Sequence, residues 1–83
     1  MKYVLTKHAQ KVLEEREISL EWLERTLFAP ELILPEPDDI LVERCFRRIP
    51  EFDSRVLRVV VNRAVDPHRV ISVFFDRQMK GRL

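Results

Sequence analysis

Arg55-Val56-Leu57-Arg58-Val59-Val60-Val61-Asn62, a polar break from Arg63 to Arg69, then Val70-Ile71-Ser72-Val73-Phe74-Phe75-Asp76-Arg77: this stretch decides the fold. Both runs are rich in β-branched and aromatic residues, which suit a pleated, half-buried surface, and predict two strands joined by a loop. Side chains alternate between the faces of a strand. Leu57, Val59 and Val61 therefore share one face, and Val56, Arg58, Val60 and Asn62 the other. In the second run strict alternation groups Ile71, Val73 and Phe75 against Val70, Ser72 and Phe74. Neither strand is polar along a whole side, so both are expected inside a sheet. One face then packs on helices. The other mixes apolar side chains with arginine and is the place for a ligand.

The segments before this stretch supply the helices. Lys2 to Leu5 reads as a short strand. Thr6 is an N-cap for a helix over Lys7–Arg16, with Ala9, Val12 and Leu13 as its buried stripe. Ser19 caps a second helix, Leu20–Phe28, with Leu20, Leu23 and Leu27 facing the core. Ile18 before this cap and Leu23 four residues after it form a hydrophobic staple. Ala29-Pro30 stops the helix. Glu31 to Leu34 reads as a strand closed by Pro35, and Ile40 to Ile49 as a longer one. The alternation of the latter does not say whether Val42, Arg44, Phe46 and Arg48 or Leu41, Glu43, Cys45, Arg47 and Ile49 meet the helices. The predicted fold class is α+β in β-α-α-β-β-β-β order, with two N-terminal helices on one face of a twisted, mainly antiparallel sheet.

The 83 residues suit one small domain, residues 1–83. Hydrophobic residues at 46% and charged residues at 35% fit a folded rather than a disordered chain. No apolar run approaches the roughly 18 to 20 residues of a membrane span, so no membrane partner is expected. The N-terminal residues do not read as a signal peptide. Cys45 is the lone cysteine, which excludes an internal disulfide and makes the cytoplasm the expected compartment. Charge is divided unevenly. Residues 1–42 carry five basic and nine acidic side chains, a balance of −4; residues 43–83 carry ten and five, a balance of +5. The basic half suits an anionic partner, or an acidic helical layer packed against it.

Taken together, Thr6-Lys7-His8-Ala9, Arg16, Ile18-Ser19, Leu57-Arg58-Val59-Val60 and Val70-Ile71-Ser72-Val73 leading to Asp76-Arg77 resemble the prokaryotic family called domain of unknown function 4258. That family is similar to the RelE/ParE toxin-like superfamily. The resemblance implies a RelE/ParE-like arrangement of helices on a twisted sheet. It also implies, for some relatives, ribosome-dependent and metal-independent mRNA cleavage. One departure is visible: the family usually has glycine between Arg16 and Ile18, where this chain has Glu17.

On that resemblance, Arg58 and Arg77 are the candidate catalytic cations, stabilising phosphate charge from the sheet. His8 is the candidate base or phosphate contact. Arg44, Arg48 and Lys80 are the candidate RNA-binding residues. The competing reading of Arg58 is a salt bridge within the fold, and that of His8 a hydrogen bond to a backbone carbonyl. A C-terminal catalytic tyrosine, present in some RelE-like nucleases, is missing, since Tyr3 is the lone tyrosine. His8, His68 and Cys45 lack zinc-ligand spacing, and Gly81 stands alone, so no metal, cofactor or phosphate loop is expected. The expected partners are RNA or the ribosome. The alternative is a non-catalytic interaction domain that pairs with an antitoxin-like protein or with a second copy of itself.

Overall fold

The computed structural model describes residues 2–83 and shows an α+β fold, two helices packed with a five-stranded mixed sheet. The elements are β1 (Tyr3–Leu5), α1 (Lys7–Glu15), α2 (Leu20–Phe28), β2 (Leu32–Glu36), β3 (Asp39–Ile49), β4 (Arg55–Asn62) and β5 (His68–Phe75). Short 3-10 helices follow β3 (Pro50–Phe52) and β5 (Arg77–Met79). The sheet order is β1-β5-β4-β3-β2. The β2–β3, β3–β4 and β4–β5 ladders are antiparallel, and β1 joins β5 in parallel. Both strands of the deciding stretch are interior, as their two-sided apolar character requires.

The helix caps work as the sequence predicts. The Thr6 hydroxyl accepts from the Ala9 amide at 3.1 Å, and the Ser19 hydroxyl from the Trp22 amide at 3.1 Å. Thr6 does more than cap. Its amide donates to the Val70 carbonyl (3.0 Å) and its hydroxyl to the Ile71 carbonyl (3.0 Å), tying the start of α1 to the middle of β5.

That point in β5 is where strict alternation fails. Val60 pairs with Ser72 but Val61 pairs with Val70, so Ile71 is an extra residue in a bulge. The phase shifts there by one. Val70, Val73 and Phe75 point to the helices, and Ile71 drops out of the core expected for it. Otherwise the core follows the sequence: Ala9, Leu13, Ile18, Leu23 and Leu27 pack against Leu57, Val59, Val61, Val70 and Val73, with Val12 and Phe75 partly buried beside them. Leu20, expected in the stripe of α2, is exposed, and Thr26 is buried.

In β3 the helix side takes Cys45 and Ile49, and Val42, Arg44, Phe46 and Arg48 take the outer side. The strand β2 continues through Pro35, which was expected to end it. As β2 lies at the sheet edge, one of its sides needs no ladder donor, and proline is tolerated there. The outer face is also more closed than the sequence suggests. Val42, Phe46, Val56 and Val60 are all buried on it. The Arg58 guanidinium lies over the Phe46 and Phe74 rings, and the C-terminal 3-10 helix lies against β4.

Candidate functional site

Three chain turns meet at the end of the sheet where β4 begins and β5 ends. The first is the α1–α2 turn. The Ile18 amide donates to the Leu13 carbonyl (3.0 Å) and the Glu17 amide to the Glu14 carbonyl (3.4 Å), a Schellman closure with Glu17 left-handed at φ 54°. It leaves Arg16 at the helix end and buries Ile18 in the core. The second is the turn into β4, where Asp53 and Ser54 are also left-handed (φ 55° and 51°) and deliver Arg55. In the third, the Asp76 carboxylate accepts from the Gln78 amide (3.0 Å), caps the last 3-10 helix and places Arg77.

These turns enclose a cleft of about 620 Å³. Arg16, Arg55, Arg77 and Lys80 line it, with Phe52 and Phe74 among its apolar walls. Beneath it, Phe52 stacks on Trp22 (5.8 Å between ring centroids) and meets Phe75 edge-on (4.9 Å). The Arg55 guanidinium sits 4.6 Å over the Phe52 ring. Arg16, Arg55 and Arg77 form no salt bridge among the described residues. Lys80 Nζ pairs with Asp53 at 3.0 Å, and this contact holds the Asp53 carboxyl below its usual range. The lining carboxylate, Asp76, is taken by Arg58 at 3.2 Å.

The candidate residues are thus divided. Arg77 and Lys80 come together in the cleft, and Arg58 reaches it through Asp76. Arg58 and Asp76 are largely buried, and Arg58 is stacked 4.9 Å from the Phe74 ring. Arg44 lies on the outer face, paired with Glu36 (3.6 Å) and donating to the Pro35 carbonyl (3.2 Å). Arg48 pairs with Glu31 at 2.6 Å; hydrogen bonds from the Arg48 side chain and amide pull the Glu31 carboxyl down to about 2. His8 is exposed on the first turn of α1 and does not line the cleft. Arg16 and Arg55 were not singled out for the site. The separate signals were a basic residue at each of two turns; nothing local says that the turns meet. Cys45 is a core thiol, pushed up by burial against a 3.3 Å hydrogen bond from Arg63.

The family model named Domain of unknown function (DUF4258) matches residues 5–75. The chain belongs to the DUF4258 family. No curated protein and no solved structure matches it. The part of this DUF4258 domain that matches carries Arg16, Arg55 and Phe74, and Arg77 and Lys80 follow it. No helix among the described residues is long and apolar enough to cross a membrane.

Proposed function

We propose that this DUF4258 domain binds single-stranded RNA, with the arginine cleft as its contact site. The observation that carries this reading is the convergence of Arg16, Arg55 and Arg77, none of them in a salt bridge among the described residues, beside the half-exposed Phe74 ring. Cations attract the phosphate backbone, and an aromatic face accepts an unstacked base. Arg58 serves here as a positioning residue: it holds Asp76, which caps the helix carrying Arg77. Binding is favoured over cleavage. Among the described residues the cleft lining offers no free carboxylate or imidazole to move the 2′-hydroxyl proton, because Asp76 is paired and His8 lies elsewhere. A RelE/ParE-like, ribosome-associated endonuclease would need that group from the ribosome.

The test is fluorescence anisotropy of a labelled RNA strand at low salt, then across a salt series. Each of R16A, R55A and R77A is expected to weaken binding and to flatten the log–log salt slope by about 0.7 per lost phosphate contact. Purified ribosomes with mRNA, run alongside, report cleavage. Absence of RNA binding at low salt would overturn the reading.

A second reading rests on a different surface. The β2–β3 hairpin exposes Ile33, Leu34, Ile40 and Leu41, apolar side chains on an edge strand and its turn, where protein contacts form. Under it the domain is a non-catalytic interaction module for an antitoxin-like protein or a second copy. A dimer in sedimentation that I40K with L41K converts to monomer, in a protein that ignores RNA, is the outcome that would favour it.

A further inference from the structure

We propose that the cleft recognises the phosphorylated end of an RNA strand, seating the terminal phosphomonoester among Arg16, Arg55 and Arg77. This rests on the RNA reading above and narrows it. Charge is the first argument. An internal phosphodiester carries one negative charge, whereas a terminal phosphate carries about −1.5 to −2 near neutral pH. Three arginines with no salt bridge line one cavity, and the carboxylate beside them is occupied by Arg58. That surplus fits a dianionic group better than one diester.

The second argument is that the arginines across the outer face are paired within the fold. A strand bound along its length needs cations spaced along a groove. Across the outer face, Arg44 is paired with Glu36, Arg48 with Glu31 and Arg58 with Asp76. Arg69, which has no salt bridge, opposes Asn62 at the far end of β5. Phe75 lies six positions further along the strand, roughly 20 Å away. Arg16, Arg55 and Arg77 are gathered at one end of the sheet, and Arg69 stands apart from them at the other.

Size and rigidity agree. About 620 Å³ lies within the range of sites that enclose small ligands, room for a terminal nucleotide rather than for a run of them. Phe74 supplies a ring face for the end base. The backbone at each arginine is held by a closed turn: Arg16 by the Schellman closure, Arg55 by the left-handed Asp53-Ser54 pair and Arg77 by the Asp76 cap. Such placement limits the reorganisation needed on binding.

The test uses one RNA sequence prepared with a 5′-phosphate, with a 3′-phosphate, or with hydroxyls at both ends, each titrated with wild-type protein at matched salt. One phosphorylated form is expected to bind about tenfold or more tightly than the hydroxyl form. Which form does so identifies the end that is read. R16Q and R77Q, both at exposed positions, are expected to abolish this preference while leaving residual binding. Equal affinities for all three forms would refute end recognition while leaving RNA binding intact. A preference that survives both variants would move the phosphate site away from this cleft. No binding of any form would remove both readings. The comparison of end forms needs only the wild-type protein and so does not depend on how the variants fold.

Discussion

Glu17 occupies a backbone conformation that glycine adopts freely and glutamate does not. Its φ of 54° is required by the Schellman closure of α1, whose partner contact, Leu13 with Ile18, is part of the core. The strain of a left-handed side-chain-bearing residue is roughly 1 to 2 kcal/mol, partly offset by the larger unfolded-state entropy of glycine. E17G is therefore expected to stabilise the protein by about 1 kcal/mol. In a chain of this size that raises the melting temperature by roughly 4 to 8 °C, and a lower melting temperature would contradict the strain argument. Glu31 gives a second residue-level expectation. Arg48 depresses its carboxyl to about 2, below an ordinary unfolded value near 4.5. A depressed carboxylate stabilises the fold above its unfolded pKa and loses that contribution as pH falls through its folded one. The stability gap between wild type and E31Q should thus be fullest at neutral pH and close between about pH 5 and pH 2. Urea titrations at several pH values measure it, and a gap that stays constant down to pH 2 would contradict the pairing.

The β5 bulge shows what a single element can hide. Its residues satisfy alternation on either side of Ile71, but the two halves are out of phase. Thr6 accounts for much of the reason, since its amide and hydroxyl engage the Val70 and Ile71 carbonyls at the bulge while it caps α1. A helix cap and a strand irregularity are the same feature seen from two elements. The consequence is measurable. V70A removes two methyl groups from a site with no solvent exposure and should cost about 2 kcal/mol. I71A removes more atoms from a half-buried position and should cost less. The reverse ranking in chemical denaturation would restore the uninterrupted alternation of β5. By contrast the division of β4 side chains between its two faces was legible, because its alternation runs unbroken.

For the molecule as a whole, the question is which arginines hold the fold and which are free to act. Arg58 and Asp76 are largely withdrawn from water, so R58A leaves a buried carboxylate without its partner. The expected loss is about 2 to 3 kcal/mol, short of the ~3 to 5 for a fully buried pair, because both groups keep some solvent contact. R77A removes an exposed cation that forms no salt bridge and should leave the unfolding free energy within about 0.5 kcal/mol of wild type. Measured together, stability should follow Arg58 and RNA affinity should follow Arg77. An R77A protein as destabilised as R58A would show that the cleft is held together by its arginines and not left open for an anion.

The order of elements, both helix caps, the Ile18–Leu23 staple and the two faces of β4 were determined by the sequence itself. Each depends on residues within a few positions of one another, where capping geometry and side-chain period act directly. The outer-side placement of Phe46, the phase of β5 and the grouping of Arg16, Arg55 and Arg77 were decided only by the tertiary structure. Those depend on contacts between residues far apart in the chain. Strand register and the meeting of three turns are set by how the helices pack on the sheet, and a local pattern carries no record of that distance. Arg58 looks the same in sequence whether it faces a phosphate or Asp76, and it is the 3.2 Å contact across 18 residues that separates the two.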